Sequence, residues 1–554
     1  MKKILTAIAA LLVCGSLYAQ IDPTVEVSRQ YKVNIADIDR PLATDNAVAD
    51  SLQHFDVGFD YSIFNRPYTD LYEFTPYQTD SISKVVTKRP PYVMAHLGSQ
   101  FPFSADLELR SQLITKPRFN LGADTDLGLM ILGLDYLGEE DALASLRFDG
   151  GLSANAKTAW KKGELTLNVG YDNRSYGETY RDKQLMHTVN ATAVDVSLTS
   201  ADPTENSVFY SLNFNYDLAD KDLTGSNIPD TTYLNRRMSI KGSLGSSFGA
   251  HRIYVNMLYQ NATTGKDDQK LNVGILEFMP VWEYTIPRLK VRLGARFGNN
   301  YIGSDAATTI HPDVDIKGEV IKNAIWIRAN VSGGNELNSL GDYLRVAPWI
   351  CNGIPGHTYG ATEVIGTRNI VAKVSVETII AGRFALSPYF SYGSYSNSLQ
   401  FRTDLSYDNL PMLIPEYTNY AATTFGLETS WKSRNLTVTG NLAHISAKST
   451  DLFAEDGQAL PAYMIPEWKA GASLDYNIKR RLFLSATYSF ESERISWGGN
   501  IPVYSDLTVV ATWVFNRHFS AYVKGGNLLG NSNFRYYEIP ELPRNIGGGI
   551  RINF

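Results

Sequence analysis

Asn545-Ile546-Gly547-Gly548-Gly549-Ile550-Arg551-Ile552-Asn553-Phe554, the last ten residues, decides how the rest of the chain is read. At a period of two, Ile546, Gly548, Ile550, Ile552 and Phe554 fall on one side, and Asn545, Gly547, Gly549, Arg551 and Asn553 on the other. This is a strand with one apolar and one polar face, ending on an aromatic residue. Soluble sheets use such strands too. The deciding question is whether the upstream chain repeats the pattern often enough to close a ring, because a closed barrel faces lipid with no unpaired edge.

Upstream it does repeat. Phe103, Ala105, Leu107, Leu109 and Leu113 alternate with Ser104, Asp106, Glu108, Arg110 and Gln112. Leu289, Val291, Leu293, Ala295 and Phe297 alternate with Lys290, Arg292, Gly294 and Arg296, and similar runs start at Ile325 and Leu482. Ten tight, often basic turns separate such runs: near Lys116 and at 161–163, 201–206, 247–251, 285–288, 322–323, 381–383, 432–435, 479–481 and 515–518. With a first strand rising from Tyr92 and a last one falling to Phe554, they imply an all-β, transmembrane antiparallel barrel of about 22 strands. An even number leaves both barrel ends in the periplasm.

Connections on the other side are expected to be longer, notably 334–366 and 394–417, and to lie outside. Acidic tips such as Glu139, Glu140, Asp141, Asp267 and Asp268 then face out, although turns attract charge of either sign. Two positions break the pattern. Pro388 falls inside the run 384–392, where a closed ring has no free edge, so a bulge is expected there. His444 shares the parity of Leu436, Val438 and Leu442 and is expected at the lipid interface.

Composition fits this reading. There are 51 Lys plus Arg against 57 Asp plus Glu, which excludes the basic footprint of a nucleic-acid partner. Charged residues are only 19% and aromatics reach 12% with 33 Tyr, as interfacial girdles require. Lys2 and Lys3, an apolar run over 4–13 and small residues up to Ala19 read as a cleaved signal peptide, 1–19. The apolar run is about half of the ~20 residues a spanning helix needs. Cys14 follows Val13, where a lipoprotein acceptor would follow a small residue. After cleavage Cys351 stands alone, so no intrachain disulfide forms. The segment 20–91, broken by Pro23, Pro41, Pro67, Pro76, Pro90 and Pro91, is expected to be an extended periplasmic or lumen-filling piece. The barrel then occupies 92–554.

Gly526-Asn527-Leu528-Leu529, Tyr536 and Tyr537, Pro543-Arg544 and the ending Ile550-Arg551-Ile552-Asn553-Phe554 resemble the last hairpin of TonB-dependent receptor barrels. In that family a penultimate strand ends in an Asn-Leu step and the chain closes on an aromatic residue. Gly333-Gly334-Asn335-Glu336-Leu337-Asn338-Ser339-Leu340, with Pro348 after it, is similar to a segment of a plugless receptor-like branch of these barrels. Residues 25–31 and 92–98 are similar to that branch's mature start and first strand. The resemblance is scattered over most of the chain. It implies a transport barrel of the Gram-negative outer membrane, and it implies that Ile550, Ile552 and Phe554 form the signal read by the barrel-assembly machinery. Family receptors also carry a globular plug and a box that pairs with TonB, and 20–91 has room for neither. Energised uptake and ligand residues are therefore not carried over.

The lumen-facing parity supplies candidate lining residues of both signs: Asp106, Glu108, Arg110, Arg292, Arg296, Asp315, Lys317, Glu319 and Arg328. They read either as a selectivity lining or as the salt-bridged wall that any wide polar interior needs. No catalytic, metal or cofactor site is expected. The eight His, at 54, 96, 187, 251, 311, 357, 444 and 518, show no spacing to a nucleophile or a metal-ligand set. Trp349, Tyr359, Trp497 and Tyr504 read either as stacking platforms or as loop packing. The expected function is a plugless transport channel or receptor. A scaffold in envelope assembly or secretion that binds a periplasmic protein partner is the alternative. Outer-membrane lipid surrounds the chain in both cases. An open pore would leak, so 20–91 or 334–366 is expected to occupy the lumen.

Overall fold

Alternation sustained over this many runs leaves the backbone one way to satisfy its N–H and C=O groups away from water, which is to pair edge to edge until the sheet closes. In the computed structural model the chain divides into two units, Met1–Val85 and Val86–Phe554. The structure describes residues 93–553 except 101–102, 117, 133–143, 161, 181–182, 201–207, 226–227, 267–268, 303–304, 338–365, 405–411, 454–457 and 542. The leader, the segment 20–91, the acidic tips, Cys351 and Phe554 lie outside the described residues.

From Val93–Gln100 to Leu436–Phe453, seventeen consecutive strands each pair antiparallel with the next. Five more complete the wall: Trp468–Ile478, Leu482–Glu491, Tyr504–Val514, Phe519–Gly526 and Asn545–Asn553. The last pairs back on the first through seven residue pairs, from Met94↔Asn553 to Gln100↔Gly547. The result is a closed 22-stranded ring.

The ten turns that the sequence marks alternate with the connections of the other rim, which are not uniformly longer as expected: five of them, 101–102, 181–182, 226–227, 267–268 and 303–304, span two residues each because the strands themselves are long. Several of the ten turns have the left-handed backbone of tight hairpins: Ala381 and Gly382 have φ of 51° and 64°, and Lys479 and Arg480 50° and 58°. Asn477 supports the second pair by accepting the Arg480 N–H at 2.8 Å. The opposite rim is slanted. Around the closing seam the strands have 8 to 11 residues, close to the ~9–11 that cross the hydrocarbon. Phe384–Asp404 and Met412–Lys432 have 21 each and rise well beyond it.

Two further expectations need correction. Pro388 makes no bulge: its register with Leu427 is continuous. On the other flank the pairing steps from Ser375↔Tyr389 to Thr378↔Leu386 without a shift, so the missing N–H is absorbed by a gap of two residue pairs. The stretch 394–417 is mostly strand, not loop, since long hairpins carry the chain outward. The bulge lies there instead, between Tyr395 and Ser398, with Asn397 at φ 54°.

Candidate lumen wall

Exposure sorts the two parities into an outer and an inner face. Leu276, Phe278, Leu293, Phe297 and Ile310 are all exposed beyond 40%, an apolar band on the outside of the wall, so the residues between them point inward. Ile546 and Ile550 of the closing strand stand out in the same way.

Along the inner face, register brings opposite charges together. The Arg292 guanidinium lies 2.6 Å from Asp313 and 3.8 Å from Glu283. Arg296 lies 3.4 Å from Glu277. Arg328 donates from Nε and Nη2 to the two oxygens of Asp315, at 2.9 and 2.7 Å. Lys317 reaches Glu377 at 2.6 Å. Glu319 lies 3.6 Å from Arg288 beside the turn and accepts the Asn323 N–H. Two further pairs extend the row: Arg237 with Asp217 at 2.7 Å, and Lys373 with Glu428 at 3.5 Å. The Lys373 ammonium also sits 4.0 Å over the Tyr389 ring.

Arg292, Arg296, Asp315, Lys317, Glu319 and Arg328 are thus all ion-paired. Asp106, Glu108 and Arg110 hold register with Gly128, Asp126 and Asp124, which places them on the inner parity; their side chains lie outside the described residues. A lining of mutually neutralised charges is what a wide polar interior needs to stay folded, because an unpaired charge on a half-buried wall costs several kcal/mol.

The sequence reading missed Glu277, the most buried of these acids at 4% exposure. Its inner neighbours Ile275, Met279 and Val281 are apolar, so alternation does not mark it. It missed Asn335 as well. The Asn335 N–H and its Nδ2 both lie 3.3 Å from Glu277 Oε1, and Nδ2 donates to Thr309 Oγ1 at 2.8 Å. The two glycines before it have a local reason. A Cβ on Gly334 would run into the Arg296 guanidinium, and one on Gly333 would sit 3.0 Å from His311 Nδ1. The Gly-Gly-Asn signal is therefore a backbone lying close over two inner side chains, followed by an amide that fastens it.

Nearer the short-turn rim, Arg252 stacks 3.8 Å over Phe209, and Tyr254 donates to Glu283 at 2.6 Å. At the other rim two small hairpins, Arg494–Ser496 with Gly499–Ile501 and Phe534–Tyr536 with Ile539–Pro540, fold into a cap. Trp497 packs 4.5 Å from Tyr463, and Tyr504 donates to Glu541 at 3.2 Å, so both aromatics serve packing. Trp349 and Tyr359 lie outside the described residues. The Asn-Leu step also has a cause. Asn527 adopts φ 45°, gives its N–H to Asp506 at 2.8 Å and donates Nδ2 to the Asn531 carbonyl at 2.8 Å. His444 points outward as expected, 3.1 Å from Glu467 and edge-on to Trp468 at 4.8 Å. Among the described residues no three His, Cys, Asp or Glu are placed to hold a metal.

No family model matches the sequence, and no curated protein matches it. Solved structures do. The FrpB iron transporter from Neisseria meningitidis, F3-3 variant, superposes with a TM-score of 0.64 at 10% identity, over 84% of this chain and 82% of that one. The siderophore receptor PirA from Acinetobacter baumannii gives 0.61 at 12%, over 84% and 80%. The alcaligin outer-membrane receptor FauA from Bordetella pertussis gives 0.58 at 11%, over 84% and 76%. The fold is that of the TonB-dependent outer-membrane receptor barrels, as the resemblance implied.

Proposed function

We propose that the chain is an outer-membrane transport channel or receptor barrel that works without a separate plug, with 20–91 as its N-terminal periplasmic or lumen-filling segment. One observation carries the reading: a ring of 22 strands closed without an edge, apolar outside and ion-paired inside. Transport and receptor functions of the similarly folded proteins lend it support. Export by the leader 1–19, and recognition of Ile550, Ile552 and Phe554 by the barrel-assembly machinery, belong to the same proposal.

Planar-bilayer recording of the full chain and of a form lacking 20–91 tests it. Openings from the full chain that grow on deletion support the channel. A second reading, a non-transporting scaffold that holds a periplasmic partner, is favoured by the pairing of the described candidate lumen charges, which leaves their ionic capacity already engaged. Silence from both forms, with a stoichiometric periplasmic partner lost when 20–91 is removed, would decide for the scaffold.

A further inference from the structure

We propose that the outer ends of Ile325–Leu337, Gly366–Ile380, Phe384–Asp404 and Met412–Lys432 form a latched flap that gates the lumen; this rests on the channel reading above. The ladders show where the flap leaves the wall. On one flank, pairing with Asp305–Ile321 stops at Asp313↔Ser332, next to Pro312, which has no N–H to give. On the other, pairing with Leu436–Phe453 stops at Tyr420↔Ser449, where Asn419 Nδ2 still reaches Asp451 at 2.5 Å. Inside the group the ladders run on to Leu337↔Gly366, Arg368↔Ser396 and Asp404↔Met412. Four strand ends therefore depart as one sheet, freed on both flanks. The one-residue bulge before Ser398 supplies a bend, because an extra residue kinks the strand and reverses its facing.

The flap leans inward. Asn335 lies on Glu277 and Thr309, and Gly334 lies over Arg296, all of them on the inner wall one to three strands away. Leu337 closes an apolar cluster with Ala262, Val273 and Ile275. This is the first latch: three hydrogen bonds from Asn335, two to a carboxylate that Arg296 holds in place and one to the Thr309 hydroxyl. A second lies on the far margin. Thr403 Oγ1 donates to the Tyr537 carbonyl at 2.6 Å, and Phe401 meets Tyr536 edge-on at 6.1 Å, both in the cap that rises between Phe519–Gly526 and Asn545–Asn553. Between the latches the sheet has no ladder to the wall, so its hold there rests on the latch hydrogen bonds and on buried apolar side chains such as Leu337 and Leu413.

The test uses the full chain in bilayers. Asn335→Asp sets a second carboxylate against Glu277, and Thr309→Val, a milder change, removes one acceptor. Asn335→Asp should speed amide hydrogen exchange in 333–337 and 366–370 by about tenfold or more, the scale of losing a charge-assisted hydrogen bond, and Thr309→Val by roughly threefold to tenfold, the scale of losing a neutral one. Exchange in 325–331 should stay unchanged, and open bursts should lengthen. With Cys14 and Cys351 replaced by Ser, Thr309→Cys with Asn335→Cys, bridged by a short reducible thiol linker, should stop openings until reductant is added. Unchanged exchange in both latch variants would overturn the proposal. So would openings that are equal in native, latch-released and bridged forms. Faster exchange with silence in every form would instead uphold the latch and remove the channel reading.

Discussion

Replacing Leu293 and Phe297 one at a time with Arg measures how the wall sits in lipid. Both belong to Leu289–Ile302 and both face outward, with exposures of 42% and 44%, so the packing they lose is similar. Their depths differ. At ~3.4 Å per residue and a tilt of ~40°, Leu293, five residues past Arg288, stands ~13 Å above the turn, near the middle of an apolar band ~25 Å tall. Phe297, nine residues past it, stands ~23 Å up, at the band's edge. An Arg costs about 2–4 kcal/mol at the midplane and about 0–1 near the interface. Leu293→Arg should therefore lower the folding equilibrium roughly thirty- to a hundredfold more than Phe297→Arg, at 1.4 kcal/mol per decade. Urea titration of refolding into phospholipid vesicles, followed by the gel shift of the closed barrel, reads both. Equal costs, or a larger cost at Phe297, would refute the assignment of this parity to lipid.

Arg292→Leu leaves the buried Asp313 carboxylate without its 2.6 Å partner and should cost about 1–3 kcal/mol. The figure is set below that of a fully buried pair because Arg292 is 30% exposed; adding Asp313→Asn should recover part of the loss in the same titration. Gly245→Val drives a Cβ into Tyr254 and to within 2.7 Å of Phe209 Cζ, and should lower the folding free energy by about 1–3 kcal/mol, read as a lower denaturant midpoint. Phe554→Asp should reduce the amount of barrel recovered in outer-membrane fractions, and normal recovery would remove its role as an assembly signal.

The architecture was legible because a barrel writes itself in short-range terms. Period-two parity set the inner and outer faces, and basic turn residues such as Lys479 and Arg480 marked many of the reversals. Those signals need no knowledge of distant partners. What was not legible depends on residues far apart in sequence. Glu277 lies among apolar inward neighbours, and only its contacts with Arg296 and Asn335 reveal its use. Pro388 pointed to a bulge because Pro removes a donor, yet the ladder tolerates a gap of two residue pairs without a shift of register. The bulge appeared instead at Asn397, where the asparagine accepts a left-handed backbone. The nine candidate lining residues were chosen by parity, but parity says nothing of pairing. Whether a lining charge is free or neutralised is decided by what register places one or two strands away.

The seam that joins the first strand to the last bears on how the barrel is made. Closing a loop of ~450 residues costs about 5 kcal/mol of chain entropy, against about 1 for a three-residue turn. The seam offers only seven residue pairs for that closure, and Gly547, Gly548 and Gly549 occupy three of them. Every other strand zips onto a neighbour delivered by its own hairpin, while these two must search for each other. Until they meet, the sheet keeps one open edge at Val93–Gln100 and the other at Asn545–Asn553. A factor that grips both edges accelerates ring closure by raising their effective concentration, with no need to fold any strand itself.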